Sequence, residues 1–99
     1  MTFSVKATPY FIAQISQLSS HAKRMVAGKI ALISENPYGF KRINSKQYSK
    51  VFRVRLKLDG KETRLIYVVL EPEVVLACLL ERKNDYRDLE AALEKSLQK

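Results

Sequence analysis

The hydrophobic pattern changes period near the middle of the chain. Phe3-Ser4-Val5-Lys6-Ala7 alternates apolar and polar residues, as a short strand with one buried face does. Thr8-Pro9 then reads as an N-cap followed by proline at the first helical position, where a missing N–H costs nothing. Phe11, Ile12, Ile15 and Leu18 recur at helical spacing and predict a short amphipathic helix over 9–18. Ser19-Ser20-His21 interrupts it, and either serine suits as the cap of a second helix. Met25, Val26, Ile30 and Ile33 share one face of that helix, over about 21–35. Pro37 stops it, because the residue before a proline is pushed out of helical geometry. Two helices joined by so few residues are expected to lie antiparallel.

Residues 36–50 show little periodicity and read as a connection. From Val51 the period is two: Phe52, Val54, Leu56 and Leu58 alternate with Arg53, Arg55 and Lys57, giving a strand with one apolar and one cationic face. Asp59-Gly60 is a strong hairpin signal, since a two-residue type I′ turn needs positive φ at both positions. Glu62 to Leu70 continues as a more apolar, hence more central, strand. Glu71-Pro72-Glu73 breaks it, and Val74 to Leu80 forms a third strand after the helical pair. Leu89, Leu93 and Leu97 mark a final helix starting near Asp85. The order β-α-α-β-β-β-α predicts an α+β fold: a helical hairpin packed on a mainly antiparallel four-stranded sheet, with a C-terminal helix. No repeat, low-complexity stretch or linker interrupts the pattern, so residues 1–99 are expected to form one domain.

Composition narrows the possibilities. The single cysteine, Cys78, excludes an intramolecular disulfide framework and any cysteine-based zinc cluster. The longest apolar run, Val74 to Leu80, falls far short of the roughly 20 residues a transmembrane helix needs. No signal segment opens the chain, so a cytoplasmic protein without a membrane association is expected. The formal charge of +8 is unevenly spread: residues 1–64 hold 13 Lys and Arg against three acids, whereas residues 65–99 hold five against seven. Lys41 to Arg64 alone carries nine basic residues against two acidic ones. Such an excess is an electrostatic footprint for a polyanion, an acidic protein or a membrane surface.

The hairpin sharpens this footprint. With Asp59-Gly60 as the loop, Leu58 opposes Lys61, Lys57 opposes Glu62, and Arg55 opposes Arg64. Opposed side chains share a face with Cβ atoms about 5 Å apart, so Lys57–Glu62 is complementary and Arg55–Arg64 is repulsive. Arg53 lies on the same face, roughly 7 Å further along the strand. Three guanidinium groups thus converge, and their forked donors match phosphate geometry. Glu81-Arg82-Lys83-Asn84-Asp85-Tyr86, just past the third strand, offers a further cation and a base-stacking aromatic. Lys46 and Lys50 in the connection, Lys57 on the strand and Lys83 complete the candidate phosphate contacts.

Other chemistry is poorly represented. His21 has neither a cysteine nor a second histidine with which to bind a metal, and Cys78 in its apolar run is a small buried hydrophobe. There is no glycine-rich phosphate loop, nucleophile elbow or metal-ligand spacing, so no metal or other cofactor is expected. Lys23, Arg24 and Lys29 on the second helix read as a solvated face.

The helical pair, Asn36-Pro37-Tyr38, the segment YSKVFRVRLKLDGKETRLIYVV (48–69) and ERKNDY (81–86) together resemble the RelE/ParE toxin superfamily over residues 3–86. These are the toxin halves of type II toxin–antitoxin pairs. RelE-like members cleave messenger RNA in the A site of the small ribosomal subunit, whereas ParE-like members inhibit DNA gyrase. The resemblance implies the RelE-like branch, because RelE-type nucleases carry two basic residues on one strand, an arginine on the next, another after the last strand and a nearby tyrosine. Here these positions hold Arg53, Arg55, Arg64, Arg82 and Tyr86. It implies a metal-independent endoribonuclease in which the ribose 2′-hydroxyl attacks the adjacent phosphate. Of the catalytic residues it implies (Arg55, Arg64, Arg82 and Tyr86), Arg64 would stabilise charge on the phosphorane, Arg82 would support the phosphate, and Tyr86 would stack on a base. The best-known RelE sequence has lysines in place of Arg53 and Arg55. Arginine, with a pKa above about 12, is a poor general base, so the proton acceptor stays unassigned. The alternatives on the same fold are a gyrase inhibitor and a non-catalytic relative that docks RNA or an acidic partner. Each implies a cognate antitoxin, and the toxin–antitoxin complex as a binder of its own operator DNA.

Overall fold

Local signals set the first elements where their chemistry requires them. The Thr8 hydroxyl accepts a hydrogen bond from the Phe11 amide at 3.0 Å and so caps α1 (Pro9–Ser16), with Pro9 at its start. Ser19 does the same for α2 (Ser20–Glu35) through the Ala22 amide, at 3.1 Å. Between the helices the Gln17 and Leu18 amides close short three-residue turns onto the Gln14 and Ile15 carbonyls, so α1 ends two residues before the apolar spacing does. The computed structural model describes residues 3–81 and 88–97. The remaining elements are β1 (Ser4–Ala7), β2 (Lys41–Ile43), β3 (Val51–Leu58), β4 (Lys61–Leu70), β5 (Glu73–Glu81) and α3 (Leu89–Leu97). The predicted helix start near Asp85 lies outside the described residues.

The fold is α+β, but the sheet has five strands rather than four, in the order β1-β5-β4-β3-β2. The added strand, β2, lies within the segment read as a connection. At three residues it is too short to display a period, and it is held by antiparallel pairing with β3 (Lys41 with Arg53, Ile43 with Val51). β3, β4 and β5 pair antiparallel, while β1 returns parallel to β5. β4 is the central strand, as its apolar sequence indicates, and it is buried from Thr63 to Val69.

Both faces of the sheet are covered. Phe52, Val54, Leu56, Leu65, Tyr67 and Leu76 face a core completed by Phe11, Val26 and Ile33 of the helical pair. Val51, Ile66, Val68 and Cys78 face a second core against Leu89, Ala92 and Leu93 of α3. Pairing shifts between Ile66, opposite Cys78, and Tyr67, opposite Leu76, leaving Ala77 as the extra residue of a bulge. α1 lies along β5 beyond the end of β1. There the Gln14 side chain donates to the Leu79 carbonyl at 2.9 Å and accepts from the Leu79 amide at 2.7 Å, continuing the sheet's pairing with a side chain.

The hairpin turn is as its sequence requires, with φ of 49° at Asp59 and 82° at Gly60. Its tip is tied to the start of α2: the Asp59 carboxylate accepts from the Ser19 amide at 3.1 Å and from the Ser19 hydroxyl. A slip of the hairpin in register would break these bonds to the residue that caps α2. The buried Tyr67 hydroxyl donates to the Pro37 carbonyl at 2.6 Å and pins the chain leaving α2 to the sheet. No helix among the described residues is long and apolar enough to cross a membrane.

A candidate phosphate-binding face

β3 and β4 pair as the two-residue turn dictates: Leu58 with Lys61, Lys57 with Glu62, Arg55 with Arg64 and Arg53 with Ile66. The Arg55–Arg64 row continues to Leu80 on β5, and the Arg53–Ile66 row runs from Lys41 on β2 to Cys78 on β5. Lys41, Arg53, Arg55 and Arg64 consequently occupy one face of the sheet. It is the face that α3 covers further along, over Val51, Ile66 and Val68.

The four cations differ in exposure. Arg64, on the central strand between Arg55 and Leu80, is only 6% exposed, whereas Arg53 is half-buried and Arg55 and Lys41 are exposed. A guanidinium fixed on a central strand and opposed by a second guanidinium concentrates positive potential where the surrounding dielectric is low. An anion placed between the pair turns a repulsive contact into two attractive ones. That arrangement binds phosphate and stabilises charge developing on it, the term that is usually largest in transfer reactions.

The other predicted contacts lie elsewhere. Lys50 is not brought to the arginines: its ammonium pairs with the Glu71 carboxylate at 3.0 Å and sits 5.7 Å from the centre of the Tyr38 ring. Tyr38 packs edge-on against Phe52, on the opposite sheet face, and donates its hydroxyl to the same carboxylate. The bond from Tyr38, reinforced by Lys50, holds the Glu71 carboxyl below the usual carboxylate range. Lys46 lies in the loop after β2, past the apolar row of Ile43, Val51 and Val68. Its amide donates to the Glu90 carboxylate at 2.8 Å, beside bonds from Ser45 and Gln47, so this loop grips the first turn of α3. Lys57 stands on the arginine face with Glu62 opposite. Arg82, Lys83 and Tyr86 lie outside the described residues.

Lys41 is absent from the sequence-predicted set, although its register partner is Arg53. The sequence does carry a signal, in that Ile43 two residues on must share its face and is apolar, but three residues cannot establish a period. A recess of about 470 Å³ lies between α1, the end of β5 and α3, beside Tyr10, Gln14, Glu81, Asp88 and Lys95. Its charges are mixed, so it does not share the cationic character of the arginine face. His21 is exposed in the first turn of α2, and burial pushes the Cys78 thiol up to about 12, which keeps it inert near neutral pH. Among the described residues no three His, Cys, Asp or Glu side chains gather as a metal site would require.

Comparison with known proteins places the fold. No protein-family description and no curated protein matches the sequence. Among solved structures, the chain is similar to the E. coli toxin RelE, determined in the free state as a double arginine-to-alanine mutant. The TM-score is 0.69 over 99% of this chain and 97% of that one, at 14% sequence identity. The chain therefore has a RelE-like fold.

Proposed function

We propose that this protein is the toxin of a type II toxin–antitoxin pair and acts in the cytoplasm as a ribosome-dependent messenger RNA endoribonuclease. The observation that carries the reading is the convergence of Arg53, Arg55 and Arg64 on one face of a RelE-like sheet. In the reaction the ribose 2′-oxygen bonds to the adjacent phosphorus as the bond to the 5′-oxygen breaks. A 2′,3′-cyclic phosphate and a 5′-hydroxyl result, the attacking oxygen losing a proton and the leaving oxygen gaining one. Arg64, held in place by its central strand, stabilises the phosphorane, and Arg55 faces it from across the hairpin. Arg53 holds the neighbouring backbone. Arg82 supports the phosphate, and Tyr86 stacks on a base to align the 2′-oxygen for in-line attack. Partners on this reading are messenger RNA on the ribosome and an antitoxin that masks the arginine face, with operator DNA bound through the complex.

The test is induced expression followed by mapping of message ends. Growth should stop, and messages should be cut within translated codons, leaving cyclic phosphate ends. Arg64→Ala should lower cleavage about 10²–10³-fold, the usual effect of removing one group that stabilises transition-state charge, and should restore growth at equal protein level. Intact messages with DNA breaks would replace this reading with gyrase inhibition. Intact messages with ribosome-bound protein and no DNA damage would replace it with non-catalytic RNA docking.

A further inference from the structure

The geometry points to a direction for the RNA: we infer that its backbone crosses the sheet from Arg64 over β3 to the β2 edge, where Lys41 holds a phosphate beyond the one being cleaved. The inference rests on the phosphate-binding reading of the arginine face and adds to it a residue and a path.

Two tracks lead away from the Arg55–Arg64 row on this face. One runs along the hairpin toward its tip, where the next row is Lys57 opposite Glu62. The Glu62 carboxylate cancels the lysine's charge and repels a phosphate laid across that row. The other runs toward Arg53 and, one strand further out, its register partner Lys41. That row contains no acid: from β2 to β5 it reads Lys41, Arg53, Ile66, Cys78. Lys41 is exposed at the open edge of the sheet, and neither it nor Arg53 makes an ion pair among the described residues.

The spacing fits a polynucleotide. From Arg64 to Lys41 is two strand spacings across and two residues along, about 12 Å between backbones for ordinary sheet geometry. Arg53 and Arg55 lie between them, making a continuous diagonal of four cations. On the β5 side the same two rows end in Leu80 and Cys78, which belong to the core under α3. Among the described residues, a strand entering at Arg64 thus has an uninterrupted cationic route only toward β2. Lysine suits this position: a flexible point charge tracks a mobile neighbouring phosphate, whereas the fixed guanidinium forks hold the reacting one.

The experiment measures binding of a fully 2′-O-methylated single-stranded RNA, which cannot undergo 2′-oxygen attack, by fluorescence anisotropy across a salt series. Purified wild-type protein is compared with Lys41→Ala, Lys41→Arg, Arg64→Ala and Lys23→Ala, the last removing one exposed charge from α2 in another layer. Each phosphate contact on a single strand contributes about 0.7 to the slope of log affinity against log salt. Lys41→Ala should lower the slope by about that amount and weaken binding several-fold at low salt. Lys41→Arg should restore both, and Lys23→Ala should leave the slope at its wild-type value. Cleavage of messages on ribosomes by Lys41→Ala should need more enzyme but reach the wild-type rate at saturation. A Lys41→Ala slope equal to wild type, with Arg64→Ala lowered, overturns the path and leaves the arginine site standing. Wild-type protein with no salt-dependent affinity overturns both.

Discussion

Replacing Arg55 by glutamate should stabilise the protein while removing its capacity to bind phosphate. Arg55 and Arg64 are directly opposed on β3 and β4. A like-charged cross-strand pair is unfavourable by a few tenths to about 1 kcal/mol, and an opposite-charged pair is favourable by a similar amount. Arg55→Glu converts one into the other, a gain of about 0.4–2 kcal/mol. Arg55 is exposed, so the substitution opens no cavity. In a domain of this size each kcal/mol moves the thermal midpoint by about 4–8 °C, so the variant should melt roughly 2–16 °C above wild type.

Thermal melts in two salt series separate this from incidental effects. Sodium chloride should raise the wild-type midpoint by screening repulsion and lower that of Arg55→Glu by screening attraction. Inorganic phosphate at matched ionic strength should raise the wild-type midpoint further, because it binds the folded state alone. It should not do so for the variant. Arg55→Thr, with neither charge, should fall between them. A variant that folds but melts below wild type would refute the argument that the two arginines repel. Equal stabilisation of wild type and Arg55→Glu by phosphate would refute the assignment of the anion to this pair.

Two further predictions concern the scaffold. The Ser19 hydroxyl, and after it the Ser19 amide, hold the Asp59 carboxyl below its ordinary value of 3.8. A depressed carboxylate contributes stability that is present above that value and is lost as pH falls through the folded-state pKa, so Asp59→Asn should be less stable at neutral pH and show a shallower loss below about pH 4 in chemical denaturation. Gln14→Ala should cost about 1–3 kcal/mol, because it strips the partners from both the amide and the carbonyl of Leu79. Hydrogen exchange at the Leu79 amide should accelerate in that variant, and an unchanged rate would show that the edge is not held by this side chain.

Much of the fold is legible in the sequence, because its elements carry their own punctuation. Thr8-Pro9 fixes one helix start, Ser19-Ser20 narrows the second to two candidate caps, and Asp59-Gly60 admits one turn and therefore one register. From that register the Arg55–Arg64 opposition comes without any tertiary information. β2 is not legible for the converse reason: its three residues have neither period nor turn chemistry, and it exists because β3 offers a free edge and Val51 an apolar partner for Ile43. The role of the 44–47 loop is invisible for a related reason. Its contact is with Glu90, 43 residues away or more, and nothing near either end announces the other. Lys50 likewise reads as one more cation in a basic run, and only its neighbours Tyr38 and Glu71 show it to be neutralised.

The arrangement of the cationic face explains why a protein this small places its most constrained charge on its central strand. Alternation along β4 puts Arg64 on the same face as Ile66 and Val68, which α3 buries. One end of that face is thus hydrophobic core and the other end is the candidate site, with no loop between them. The second core therefore fixes the backbone under Arg64 to the precision of packed side chains rather than of a loop. The grip of Ser45, Lys46 and Gln47 on Glu90 extends the same logic by fastening α3 to the strand that carries Lys41. A substitution in the second core, such as Leu93→Ala, should consequently loosen the arginine geometry as well as the fold. The two-residue turn sets the register of the opposed arginines, and apolar packing on the other half of the same face holds the backbone beneath them.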